Sequence, residues 1–354
     1  MRPPCSRITL KLVSYGFALL ALALTACGGG GGGSDSSGTA NQSNSASSTA
    51  SSTSSGAASS AGNSSSTASS TGSTSSGIYL TAPNIATCNT GQLKDSERTG
   101  VLDKLNAVRA RHGLPAVSYD SSFDGAAAEA ALYMVANKAL THSPDSSGPC
   151  YTSNAASLAG TSNLHLSWTS AATTQNIASS DAIVGYLVDD NVASLGHRRW
   201  VLYPFLNKTT YGRVDGQPAG TSSQYMASAL KVIGNAASSV TMANDFVAYP
   251  YGNYPASEFA AGWYLSFSVV ASKTSAAANG SAQVSFAGAS ITVSNAGTPL
   301  AVSGQLADYT GYGLPNSLQW KVAGLQTNVT YSVQIDNVIV NGVTRQYNYT
   351  FRLQ

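Results

Sequence analysis

The sequence predicts an α+β fold that is helical first and stranded after, closing in a small all-β, sandwich-like module over 281–354. Three observations carry this. Apolar residues recur at helical spacing in the stretches before about residue 190. After Trp200 the pattern changes to short alternating or β-rich segments separated by Gly, Asn and Pro. Near the C-terminus Asn341-Gly342 joins two such segments and is the strongest short hairpin signal in the chain.

Taken in order, the chain begins with Arg2, Arg7 and Lys11, followed by the apolar run LVSYGFALLALALTA. That run has the length of a signal-peptide core and is short for a bilayer span. It ends in Leu24-Thr25-Ala26-Cys27, which resembles the bacterial lipobox. The resemblance implies a lipoprotein signal peptide over 1–26 and an anchor at Cys27 through diacylglycerol and palmitate. Several acyl chains on one residue hold a membrane stably where one does not. Gly28 follows, with no Asp there to retain the protein at an inner membrane, so the resemblance implies an outer-membrane lipoprotein of a Gram-negative envelope. The alternative is an ordinary secretory signal.

Residues 27–77 are a Gly/Ser/Thr/Ala tract with a single charge, Asp35. It cannot bury enough apolar surface to offset its chain entropy and reads as a disordered tether with a reach of about 40 Å. Removing 1–26 takes three positive charges and moves the net charge from +2 to −1, so the chain has no basic patch for nucleic acid. No later apolar run is long enough to cross a membrane. Of the four cysteines, Cys5 leaves with the signal and Cys27 is lipidated, which leaves Cys88 and Cys150. In an oxidising compartment they are expected to pair, two free thiols being the alternative.

A helix is predicted from Ser96 to His112, with Val101, Leu105 and Val108 on one stripe, stopped by Gly113 and Pro115. His112 at its end reads as a cation complementing the helix dipole. A second helix, SFDGAAAEAALYMVANKAL, uses alanines for close packing. A polar loop is expected through Cys150 and Trp168, with His165 in it, and a third helix over Asp181 to Asp190. TTYGRV, ALKVIG, DFVAYP and WYLSFSVV read as strands, as do AQVSF, SITVSN, LAVSG, SLQWKV, TYSVQIDNVIV and RQYNYTFRL, with Trp320 in the core.

General catalytic signatures are missing: there is no HExxH, GxSxG, P-loop or CxxC in the folded part. Four stretches instead carry a family likeness. LPAVSYDSSFDGAAAEAALYMVANKALTHS, Gln175-Asn176-Ile177-Ala178, AIVGYLVDD and Leu195-Gly196-His197-Arg198-Arg199-Trp200 follow one another in order. Together they resemble the CAP superfamily (the cysteine-rich secretory, antigen-five and pathogenesis-related proteins, or SCP domain). The resemblance implies an α–β–α sandwich over 78–270 with a central cleft, lined by two histidines and two acids that hold a divalent metal.

Matched position by position, the cleft residues are His142, Gln175, Asp189 (or Asp190) and His197. Gln175 stands where a glutamate is usual; it cannot ionise and is a poor zinc ligand. His142, His197 and Asp189 could still hold zinc or another divalent ion with one position open, but a general base would be hard to supply. The bland alternative is two histidines hydrogen-bonded across a polar cleft. One of Arg198 and Arg199 is expected to pair with an acid of the third helix. Trp200, Tyr203, Tyr249, Tyr251, Tyr254 and Trp263 read as packing, or as an apolar groove. The functional expectation is a surface-anchored, non-enzymatic binding module for a small apolar ligand or a protein partner. The alternatives are a zinc-dependent hydrolase or peptidase, and an adhesive or structural envelope protein.

Overall fold

The computed structural model describes residues 77–170, 177–190 and 192–354. The expected signal peptide, the expected lipidation at Cys27, the expected tether up to residue 76 and Gln175 lie outside the described residues. The described residues belong to one compact unit, Ser70–Gln354, and among them no helix is long and apolar enough to cross a membrane.

The chain enters through strand β1 (Tyr79–Thr81), antiparallel to β2 (Gln92–Leu93). Between them Cys88 adopts a left-handed conformation, as does Cys150, and the two are joined by a disulfide with Cα atoms 5.2 Å apart. Helix α1 (Asp95–Arg111) places Asp95 and Glu97 in its first turn and Arg109 and Arg111 in its last, each sign at the pole that favours it. Strand β3 (Ser118–Tyr119) leads through a short turn into α2 (Asp124–Asn137), and α3 (Ser153–Ala159) and β4 (Ser162–Thr169) follow. Thr152 caps α3, its Oγ1 accepting from the Ala155 N–H at 2.9 Å. Then come α4 (Asp181–Val188), α5 (Gly196–Val201), β5 (Lys208–Thr209), β6 (Tyr211–Gly216) and β7 (Gln224–Lys231).

Strands β4, β7 and β6 form an antiparallel sheet in that order. One face carries Leu164, Val214, Ala227 and Ala229 against α2 and α3; the other meets α1 and α4 through Tyr211, Leu230, Val101, Leu105, Ile183 and Tyr186. This is the expected α–β–α layering. Its tightest point is Gly212, where a Cβ would lie 2.3 Å from the Ala127 carbonyl carbon. Alanines on α2 and glycine on β6 let the two backbones touch.

The polar loop expected through Trp168 is instead α3 and β4. The stretch NLHLSWT alternates, with Leu164 and Leu166 toward the helices and Asn163, His165 and Ser167 toward the other face, so its period of two was present.

The C-terminal strands are β8 (Phe246–Tyr249), β9 (Gly252–Tyr254), β10 (Leu265–Val269), β11 (Val284–Ser285), β12 (Ser290–Asn295), β13 (Thr298–Pro299), β14 (Val302–Asp308), β15 (Ser317–Val322), β16 (Thr330–Val340) and β17 (Val343–Leu353). They make two sheets, β14-β15-β10-β8 and β13-β12-β16-β17-β9, with β11 added on β16. Asn341 and Gly342 both take positive φ, as the tight turn between β16 and β17 requires. The sheets face each other across an aromatic core in which the Phe267 and Tyr347 ring centroids are 5.1 Å apart and Trp320 is fully buried.

Strands β8, β9 and β10 precede residue 270, yet they pair with strands that follow residue 281: β10 with β15, and β9 in parallel with β17. One continuous hydrophobic cluster accordingly runs from Val101 on α1 to Leu353 at the chain's end.

Candidate functional site

Beside its apolar contacts, the second face of the β4-β7-β6 sheet carries a polar row. His165 on β4 and Arg213 on β6 both lie opposite Ser228 on β7, so the three side chains form one row. Arg213 is buried, forms a two-pronged pair with Asp215 (2.8 Å on each arm) and donates to the Ser179 hydroxyl. Tyr186 of α4 reaches the same row, its hydroxyl donating to the Asn163 carbonyl at 3.1 Å and lying 3.3 Å from Ser228 Oγ.

Facing this row, α4 ends at Asp189, which takes a left-handed conformation (φ 47°) and turns the chain toward α5. The buried Asp189 carboxylate then closes the loop. Its Oδ1 is 2.8 Å from His197 Nδ1, and its Oδ2 accepts from the backbone N–H groups of His197 (2.9 Å) and Arg198 (3.2 Å). Asp189 therefore caps α5, whose own N-cap Leu195 offers no side-chain bond. With Nδ1–H donated to a carboxylate, the neutral His197 ring carries its lone pair on Nε2. The ring lies 5.4 Å from that of Tyr186, and the His197 carbonyl accepts from Asn163 Nδ2 at 3.0 Å.

Among the expected site residues, Asp189 and His197 are brought together, but as a carboxylate behind a histidine. His142 is exposed, and its Nδ1 donates to the Ala159 carbonyl at the end of α3 (2.8 Å). Among the described residues no three His, Cys, Asp or Glu side chains stand together so as to hold a metal ion, the set His142, Asp189 and His197 included. The described donors thus do not fit the divalent ion that the family likeness implies.

His165 belongs to this sheet face rather than to a loop. Burial, with the nearby positive charge of Arg213 adding to it, pushes its pKa below the ordinary imidazole value. The readable signal was the alternation of β4. Nothing local marks Arg213, Ser228 or Tyr186; their meeting is set by strand register.

The two arginines after His197 are structural. Arg198, fully buried, donates to the Leu187, Val188 and Tyr264 carbonyls and lies 4.0 Å from the Tyr249 ring centroid. Arg199 donates to the Thr310 and Leu314 carbonyls and pairs with Asp308 on β14 at 3.4 Å, so its acid lies in the C-terminal strands and not on the third helix. The six aromatics do not gather along one groove. Tyr203, Tyr249 and Tyr254 are buried in the core, and Trp200, Tyr251 and Trp263 pack against it.

His112 also departs from expectation. It is buried, its Nδ1 donates to the Ala248 carbonyl (2.8 Å), and its Nε2 accepts from the Tyr254 hydroxyl (3.1 Å). Burial lowers its pKa to about 3, so it is neutral rather than a cation at the helix end.

Residues 102–226 match the model of the CAP family, described as the cysteine-rich secretory protein family. Among solved structures, the chain is similar to an extracellular SCP-domain protein of Bacillus anthracis, at 17% identity and TM-score 0.25, over 40% of this chain and 42% of that one. It is similar to BmVAL-1 at 15% identity and TM-score 0.28, over 41% and 81%. An outer surface protein of Borrelia burgdorferi matches at 14% identity and TM-score 0.25, over 39% and 93%. No curated protein matches the sequence.

Proposed function

We propose that this chain, which carries a CAP domain over residues 102–226, is an envelope-anchored binding protein rather than an enzyme, and that its cleft receives a polar surface of a protein partner. The observation that carries the reading is the placement of Asp189. A hydrolytic zinc site needs three protein ligands and an open position. Both Asp189 oxygens are already occupied by His197 and two backbone N–H groups. Gln175 cannot replace the missing base.

The half-exposed side chains at this face of the β4-β7-β6 sheet are the imidazoles of His165 and His197, while Tyr186, Asn163, Ser228 and Arg213 are buried and hydrogen-bonded. With the aromatics in the core, a polar partner suits it better than a small apolar ligand. The lipobox-like Cys27 and the Ser-rich tether support a place at the outer membrane, with reach away from its surface.

Zinc-dependent hydrolysis is the second reading, favoured by the Asp189–His197 pair, since an oriented imidazole also serves as a metal ligand or base. Calorimetric titration of the purified chain with zinc separates the two. The binding reading expects no stoichiometric uptake and no difference between the parent and His197→Ala. One tightly bound zinc per chain, lost in His197→Ala, would overturn it.

A further inference from the structure

The C-terminal strands hold a cavity of about 570 Å³, separate from the cleft. Its floor is the outer face of β12, β16 and β17. There two rungs run across three strands in register: Thr292, Gln334 and Asn348 in one, Ser294, Ser332 and Thr350 in the next. One side is aromatic, built from Tyr251 with Phe246 and Tyr349 behind it. None of the residues lining the cavity carries a charge.

Polar strand faces are common, but one feature sets this one apart. Its side chains are held. Asp336 accepts from Gln334 Nε2 (2.8 Å) and from Gln346 Nε2 (2.6 Å), which leaves the Gln334 amide oxygen as a fixed acceptor, and Asn244 Nδ2 donates to the Tyr251 hydroxyl (3.1 Å). Tyr349 alternates with Asn348 and Thr350 and turns its ring to the core face, stacked on Phe267, so Tyr251 supplies the aromatic side of the cavity.

Amides and hydroxyls both donate and accept, and the hydroxyls of a pyranose chain do the same. Successive rungs stand about 7 Å apart, two residues along a strand, so both can engage one extended ligand. A phenol ring offers an apolar face to sugar C–H groups. Lack of charge disfavours phosphates, nucleic acid and acidic peptides. We propose that this face of the C-terminal module is a binding site for a neutral oligosaccharide, independent of the cleft.

Isothermal titration of the full chain with chitohexaose, cellohexaose, maltohexaose and mannohexaose tests it, with a strand-forming Thr/Val peptide as the competing arm. At least one hexasaccharide is expected to bind. The double variant Gln334→Ala with Asn348→Ala is expected to weaken that binding by about tenfold or more, since each side chain contributes at least one hydrogen bond. Neither residue is buried, so the thermal midpoint should stay within a few degrees, and His197→Ala should leave sugar binding unchanged. Three results would overturn the site: no sugar binding at millimolar concentration, binding indifferent to the double variant, or capture of the peptide with no sugar bound.

Discussion

Asp189 does three jobs with one carboxylate. It accepts from two backbone N–H groups of α5, fixes the His197 ring, and sits in a left-handed turn that an acidic or amide residue tolerates. Asp189→Ala is therefore expected to cost about 2–3 kcal/mol, because buried donors lose their partner. Asp189→Asn, which keeps the turn and one acceptor, should cost about half as much. Urea midpoints measure both, and the His197 Nδ1 proton resonance should vanish in the alanine variant.

His112 supplies a pH dependence whose sign is set by its lowered pKa. The unfolded imidazole takes a proton near pH 6.5, whereas the folded one refuses it until about pH 3. The contribution is complete above pH 6.5 and is lost as pH falls through that window, at roughly 1.4 kcal/mol per pH unit. Stability curves at pH 7, 5 and 4 should be flatter for His112→Gln than for the parent. Equal slopes would mean that the ring is not kept neutral in the fold.

Among the elements, the contact between α2 and β6 is the least forgiving. At Gly212 an added Cβ would run into the backbone of Ala127 and Ala128, and backbone cannot move aside as a side chain can. Gly212→Ala is expected to destabilise by about 3 kcal/mol. Gly125, inside α2 with open space around its would-be Cβ, makes the contrast. Gly125→Ala should leave stability unchanged or raise it by up to about 1 kcal/mol through helix propensity. Thermal melts of the two variants decide the point. The buried arginines act at this scale too. The Arg109 guanidinium gathers the carbonyls of Pro115, Val201 and Tyr203, and so pins the end of α1 to the loop after α5.

For the whole molecule, the consequential fact is that the α–β–α layers and the terminal strands share a core. Arg198 and Arg199 tie the His197 helix to β10 and to the loop after β14, and His112 ties α1 to β8 and β9. Deleting 281–354 would strip β15 from β10 and β17 from β9, and remove the buried Trp320 and Phe351. The truncated chain is expected to give no cooperative unfolding transition. The folded part of the full chain should melt in a single step; calorimetry showing two independent transitions would contradict the shared core.

The sequence by itself determined that the chain is mainly helical first and stranded after, the Asn341-Gly342 hairpin and the likeness to the CAP family over 102–226. The reason is that periodicity, turn chemistry and short motifs are local and need no knowledge of neighbours. It also named Cys88 and Cys150 as partners, because no other cysteine was left to pair. Three things were decided only by tertiary structure, because register and burial are set by contacts between residues far apart in the chain. Asp189 stands behind His197. His165 meets Ser228 and Arg213 across three strands. His112, written at a helix end like a capping cation, lies under strands that begin more than a hundred residues later and is neutral there.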